Sequence, residues 1–108
     1  MAALALAAPS AARADEIWCT SKVTQVLQWQ DGQLGFVGPN FSYLGDKSVY
    51  VCNAGTPVCA HYLTIVQSAM LSGNQARVKM DVPAGTTCTS LPAHPTIIYI
   101  SLWPAPAP

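Results

Sequence analysis

The sequence predicts a mainly β domain that carries one α-helix, and three observations support this class. Residues 59–72 have apolar side chains at helical spacing, because Leu63, Val66 and Met70 fall at i, i+3 and i+7. Residues 76–82 instead alternate apolar with polar side chains, as in a strand with one buried face. The remaining apolar segments are short and rich in β-branched and aromatic residues, which favour strands.

The first predicted strand covers residues 22–30. Its Val, Leu, Thr and Trp content favours a strand, and Val23, Leu27 and Trp29 fall on one face. We expect Trp29 to fill the core of a small domain. Residues 15–21 lead into this strand, and their Trp18 and Cys19 are expected to be the first buried side chains.

A hairpin is expected next. Asp31 and Gly32 suit a tight two-residue turn, and residues 33–37 form the returning strand with Gly35 as a bulge. Residues 48–52 form a short third strand.

The second half of the chain adds the helix and two strands. Gly73 is expected to close the helix in a left-handed conformation, and the alternating strand follows directly. Residues 83–95 form a long irregular connection, and residues 96–103 form the last strand. Both faces of this strand are apolar, which predicts a central or interface position.

Three strands, a helix and two further strands are the order of a five-stranded OB-like barrel. An open antiparallel sheet with the helix packed on one face is the alternative. Either architecture fits a single domain, which we place at residues 15–103.

The sequence also predicts export of a bacterial type, to the periplasm or the medium. Residues 2–8 are an apolar run, and residues 12–14 have the A-x-A form that signal peptidase cleaves after. We expect residues 1–14 to be a signal peptide, truncated or atypical because no basic residue precedes the apolar run. Residues 104–108 form a Pro- and Ala-rich tail, and we expect no membrane span.

The four cysteines are expected to form two disulfides, as is usual in small exported domains. If the first strand pairs antiparallel with the strand after the helix, Cys19 approaches Cys88, and Cys52 pairs with Cys59. Pairing Cys59 with Cys88 and Cys19 with Cys52 remains an alternative.

Charge and residue types exclude several functions. Charged residues make up 9% of the chain, five basic and five acidic, so no basic stripe exists to bind nucleic acid. His61 and His94 stand far apart in the sequence, and no serine lies in a nucleophile turn. We therefore expect no enzymatic activity, no metal site and no cofactor.

Residues 59–102 resemble a known family of exported proteins. A cysteine precedes the helix, AMLSGNQARVKM spans the junction of helix and strand, a loop with one cysteine follows, and IIYISL forms the final strand. This pattern is similar to that of subtilase-cytotoxin B-subunit-like and pertussis-toxin-like proteins.

The resemblance implies an OB-fold, self-association into a ring of five subunits, and binding of cell-surface glycans, sialylated or other. In toxin members a catalytic A subunit is the partner, whereas many relatives are lone periplasmic proteins. A serine just before the first strand is central to sugar contact in sialic-acid-binding members, and Ser21 holds a comparable position.

Aromatic and polar side chains near strand ends suggest further glycan contacts, because sugars bind aromatic faces together with a few polar groups. With Ser21, the candidate glycan-binding residues are Trp18, Asn40, Phe41, Ser42 and Tyr43. The expected function is a non-enzymatic glycan-binding module that resembles a toxin B subunit. The alternative is a periplasmic structural or protein-interaction module without a sugar ligand.

Overall fold

The structure, a computed structural model, describes residues 14–53 and 55–105. The predicted signal peptide (except Ala14) and residues 106–108 of the predicted tail lie outside these ranges. Within them the chain forms six strands and one helix: β1 (Ala14–Lys22), β2 (Gln25–Gln28), β3 (Gln33–Val37), β4 (Val49–Asn53), α1 (Pro57–Ser72), β5 (Gln75–Pro83) and β6 (Thr96–Trp103).

The strands form two antiparallel three-stranded sheets. Sheet I has the order β1-β5-β6, and sheet II has the order β2-β3-β4. The pairing predicted between the strand over residues 22–30 and the strand after the helix is wrong for all but Lys22. The residues before Lys22, expected only to lead into that strand, form β1, which runs antiparallel to β5. The mainly β class with one helix is confirmed. The closed barrel is not: no ladder joins the two sheets within the described ranges, which fits the alternative of open sheets with one helix.

The predicted first strand is divided between the two sheets. β1 ends at Lys22 in sheet I and β2 begins at Gln25 in sheet II, with Val23 and Thr24 between them. Val23 is buried, and the amide of Thr24 donates to the carbonyl of Val37 at 2.9 Å. A single strand over residues 22–30 is therefore wrong, because the chain changes direction at Val23 to enter the second sheet.

Ser21 and Gly38 hold this corner together. The buried hydroxyl of Ser21 donates to the carbonyl of Lys22 at 2.8 Å and accepts from the amide of Asn40 at 3.1 Å. A Cβ atom at Gly38 would lie 2.0 Å from the Lys22 carbonyl oxygen and 2.2 Å from the Ser21 hydroxyl. The corner therefore leaves no room for a side chain at Gly38.

The hairpin turn sits one residue earlier than predicted. The amide of Gly32 donates to the carbonyl of Trp29 at 2.9 Å, so Gln30 and Asp31 are the central residues. Gly32 follows with a φ of 92°, a conformation that favours glycine. The pairing of β3 with β4 shifts register between Leu34 and Gly35, but the residue left without a partner is Val51 in β4, so the bulge lies opposite Gly35 and not at Gly35 as predicted.

Helix α1 and strand β5 follow the sequence pattern closely. Pro57 occupies the start of α1, and Gly73 closes it with a φ of 78°. The helix buries Cys59, Val66 and Ala69, whereas Met70 is exposed, so its buried face is narrower than predicted. In β5 the alternating residues predicted to be apolar and buried are all buried: Ala76, Val78, Met80 and Val82.

Strand β6 is an edge strand, so the predicted central position is wrong. Among the described residues it pairs with β5 on one side only, and four of its large apolar side chains are exposed: Ile98, Tyr99, Leu102 and Trp103. The interface position stays a prediction.

The tryptophans lie at the surface and not in the core. Trp18, Trp29 and Trp103 are 42%, 43% and 41% exposed, so the predicted burial of Trp18 and Trp29 is wrong. The core is filled instead by aliphatic side chains and by Phe36 and Phe41, whose rings stack at 4.3 Å. The change of direction at the corner explains why Trp29 is exposed. Residues after the corner face the opposite way from the one a continuous strand would give them.

The cysteines form two disulfides, Cys19–Cys88 and Cys52–Cys59. These are the pairs expected from the antiparallel packing of β1 and β5. Two disulfides are typical of proteins that reach an oxidising compartment. Among the residues described, no helix has the length and apolar character needed to cross a membrane.

The two disulfides are expected to differ in their contribution to stability. Cys19–Cys88 closes a separation of 69 residues and Cys52–Cys59 one of 7. Loop-closure entropy then gives about 4 kcal/mol for the first and about 2 kcal/mol for the second. Urea unfolding of the variants Cys19→Ala/Cys88→Ala and Cys52→Ala/Cys59→Ala measures the difference, and an equal or larger loss in the second variant would contradict it.

A methyl group at Gly38 is expected to destabilise the fold. In Gly38→Ala the Cβ atom overlaps backbone and hydroxyl oxygens at the corner, which costs at least about 2 kcal/mol in the free energy of unfolding. Gly55→Ala is the control, because the nearest atom to its Cβ is a side-chain oxygen 3.3 Å away. Equal stability of the two variants by urea unfolding would show that the corner is not tightly packed.

Candidate binding groove

A groove of about 400 Å³ crosses the outer face of sheet II. Its residues come from β2, the turn after β2, β3, β4, the loop before β4 and the loop before β6. They are Gln25, Leu27, Trp29, Gln33, Tyr43, Lys47, Ser48, Tyr50, Ala93 and His94. The volume lies in the range of sites that hold small molecules.

Trp29 lies over the floor of the groove. A Cβ atom at Gly35 would sit 3.2 Å from the Trp29 ring and 2.6 Å from the carbonyl oxygen of Val49. The absence of a side chain at Gly35 thus makes room for the indole. The amide of Trp29 donates to the carbonyl of Gln33 at 2.8 Å, which fixes the backbone at this position. The indole also borders a second depression of about 680 Å³ on the hairpin turn.

Tyr50 and His94 form an aromatic pair beside Trp29. Their ring centroids are 4.7 Å apart with an interplanar angle of 35°. Tyr50 is paired with Gly35 across β3 and β4, which places its ring next to the indole. The amide of Tyr50 donates to the carbonyl of Ala93 at 3.0 Å, so the loop before β6 is held against β4 at this point.

That loop is attached to the rest of the molecule at two more points. The amide of Ser42 donates to the carbonyl of Cys88 at 3.0 Å, and the amide of Leu91 donates to the carbonyl of Ser42 at 3.1 Å. Cys88 is also linked to Cys19. The wall of the groove that carries His94 is therefore supported although it has no regular secondary structure.

Tyr43 and Lys47 border the groove from the loop before β4. Their backbones pair through two hydrogen bonds of 3.1 Å, and the hydroxyl of Ser42 donates to the carbonyl of Gly45 at 2.8 Å within the same turn. The turn thereby presents one aromatic ring and one ammonium group at the rim.

The groove combines aromatic rings with amide, hydroxyl and ammonium groups. No Asp, Glu or Cys is among its lining residues, so it lacks the paired carboxylates of glycoside hydrolysis and a thiol nucleophile. No group of three or more His, Cys, Asp or Glu with metal-site geometry occurs in the described part of the chain. Binding of a polar, largely uncharged ligand is what this set of groups suits best.

The predicted glycan-binding residues are spread over the molecule, and of the six only Tyr43 lines the groove. Ser21, Phe41 and Ser42 are no more than 1% exposed, and the hydroxyls of both serines bond to backbone groups. Asn40 is exposed beside the corner, and Trp18 lies on the outer face of sheet I.

The sequence prediction missed Trp29, Tyr50 and His94 as site residues. In an uninterrupted strand Val23 and Trp29 would lie on the same face. Because the strand is broken at Val23, the burial of Val23 does not imply burial of Trp29. The one available signal is Gln25. It lies on the same strand face as Leu27 and Trp29, and a polar residue there marks that face as solvent-exposed.

Comparisons with protein families, with curated proteins and with solved structures find no match for this chain. The resemblance to toxin B subunits therefore stays a prediction from the sequence. Function is inferred from the groove.

Proposed function

We propose that the protein is a non-enzymatic carbohydrate-binding module whose ligand lies in the groove on sheet II. The observation that carries this proposal is the cluster of aromatic rings around one polar-lined groove, exposed at Trp29 and His94 and half-buried at Tyr43 and Tyr50. The C–H faces of a pyranose pack on such rings, whereas its hydroxyls need precisely placed polar groups nearby.

The polar residues of the groove supply these partners. Gln25 and Gln33 each offer an amide donor and acceptor, and Ser48 offers a hydroxyl. Lys47 is a single cation at the rim, which suits a neutral sugar or a sugar with one acidic group. It is too little positive charge for a nucleic-acid backbone.

The strand connectivity supports an OB-like relation, in the form of an open barrel. If β1 and β2 count as one bent strand, the order of elements is three strands, helix, two strands. The groove then lies on the end of the first strand, the loop after it, the second and third strands and the loop before the last. OB-folds bind oligosaccharides on the second and third strands and on these two loops. This relation, and a ring of subunits with or without a toxin A subunit, belong to the proposal.

The two disulfides support export to a periplasmic or extracellular location. A protein-interaction module without a sugar ligand is the second candidate function. The exposed apolar edge strand β6 favours it.

A glycan array with the disulfide-bonded protein tests the proposal. We expect binding to a subset of glycans, and Trp29→Ala should weaken that binding at least about tenfold, the effect of losing about 1.4 kcal/mol of stacking. Titration calorimetry with the best glycan measures the change.

Trp103→Ala is the matched control, because Trp103 is 41% exposed, close to the 43% of Trp29, but lies on sheet I. Its glycan affinity should equal that of the unmodified protein. Silence across neutral and acidic glycans would overturn the carbohydrate proposal, and equal losses in the two variants would overturn the placement of the site.

A further inference from the structure

The outer face of sheet I carries a row of three stacked side chains, Trp18, Arg77 and Trp103. Trp18 in β1 pairs with Lys79, and Trp103 in β6 pairs with Gln75, so the two indoles lie diagonally on opposite sides of Arg77 in the central strand. The guanidinium carbon is 4.2 Å from the Trp18 ring centroid and 4.3 Å from the Trp103 ring centroid. Both faces of the guanidinium are thus covered by aromatic rings.

Stacking leaves the edge of the guanidinium open to a hydrogen-bond acceptor. The Nε atom of Arg77 is buried and has no acceptor among the described residues. The neighbouring cation differs, because Lys79 pairs with Glu16 at 3.1 Å. In the described ranges no carboxylate pairs with Arg77, so the row has a fixed, planar cation that lacks an anion.

Strand β6, beside this row, is an open edge. It has eight residues and no charged side chain, and none of its backbone groups bonds to a described residue outside the β5 ladder. Natural edge strands usually carry charges or coverings that prevent pairing with another chain. The opposite edge of the sheet has both, since β1 contains Asp15 and Glu16, and the Sγ atom of Cys88 lies 3.4 Å from the Trp18 carbonyl oxygen.

Ser101 connects the open edge with the unpaired cation. It is the β6 residue paired with Arg77, and it stands on the outer face between Tyr99 and Trp103. Its small side chain leaves a gap between these two aromatic residues. A strand added beside β6 would lie about 10 Å from the β5 backbone, two strand spacings away. A long acidic side chain opposite Ser101 can span this gap toward Arg77.

We propose that β6 is a docking edge for an extended peptide from a partner protein, which adds a fourth strand to sheet I and pairs a carboxylate with Arg77. Backbone hydrogen bonds supply affinity, and the carboxylate supplies specificity. This site is separate from the groove on sheet II and does not depend on the proposed sugar binding.

A second copy of this chain does not fit the role. Its β6 carries no acidic residue, and its β1, which does, is covered beside Trp18. Its other acidic residues lie in the central strand β5 (Asp81) or in turns (Asp31 and Asp46), where no free strand edge can present them. The residues outside the described ranges contain no Asp or Glu either. The partner is therefore a different chain, with an acidic residue inside an extended apolar segment.

Binding of a blocked peptide, acetyl-Thr-Val-Thr-Glu-Thr-Val-Thr-amide, tests the proposal. Its affinity for the intact protein is compared with that of the same peptide with Gln in place of Glu. We expect the Glu peptide to bind at least about fivefold tighter, because a charge-assisted pair replaces a neutral contact. Its binding should slow hydrogen exchange at the amides of residues 97–103, and replacing both Val residues by Pro should abolish binding.

Three variants separate specificity from folding. Arg77→Gln should bind both peptides equally, whereas Lys79→Gln, the matched control, should keep the preference for Glu. Ser101→Leu should also lose the preference, because the leucine side chain fills the gap that the Glu side chain needs to reach Arg77. This variant still tests the proposal if Arg77→Gln fails to fold.

Several results would overturn the proposal. They are no binding of the Glu peptide at millimolar concentration, an equal affinity of both peptides for the unmodified protein, or loss of the preference in Lys79→Gln but not in Ser101→Leu. Protection of β6 amides that grows with protein concentration alone would assign the edge to a second copy.

Discussion

The passage of the chain from sheet I to sheet II takes place within two residues, Val23 and Thr24, and the arrangement of the whole domain depends on it. The hydroxyl of Ser21 bonds to the carbonyl of Lys22 and to the amide of Asn40 in the loop after β3, and Gly38 packs against it without a side chain. Because the Ser21 hydroxyl and the amide of Thr24 both have partners, these polar groups add no desolvation penalty to the bend. Both faces described above follow from this bend: the groove on sheet II and the aromatic row on sheet I.

The Cys19–Cys88 disulfide connects the strand that enters the corner with the loop that forms one wall of the groove. It links β1 to a loop that has no ladder of its own, and the same loop ends at Ala93 and His94 in the groove wall. A small domain gains little free energy from its core, so an irregular loop of this kind needs a covalent link to hold its position. The bond that stabilises the fold thus also positions part of the proposed binding site.

Sequence patterns predicted the parts of the fold that depend on local spacing. The alternation in β5, the glycine that closes α1 and the bounds of β6 each follow from a few neighbouring residues. The site was predictable only at Tyr43. Strand periodicity puts Trp29 on the same face as the buried Val23 and so predicts that Trp29 is in the core. This prediction fails because the strand is broken between the two residues. The resemblance to toxin B subunits points to Ser21 as a ligand contact, but a sequence does not reveal that its hydroxyl is used by the backbone.

The central claim is that ligand binding takes place on sheet II, and the three tryptophans provide a direct test. Fluorine NMR of the protein labelled with 5-fluorotryptophan gives one resonance each for Trp18, Trp29 and Trp103. Trp29 borders the groove, and the other two flank Arg77 on sheet I. A glycan that binds should shift the resonance of Trp29 and leave the other two unchanged. A shift of Trp18 or Trp103 with Trp29 unchanged would contradict the account.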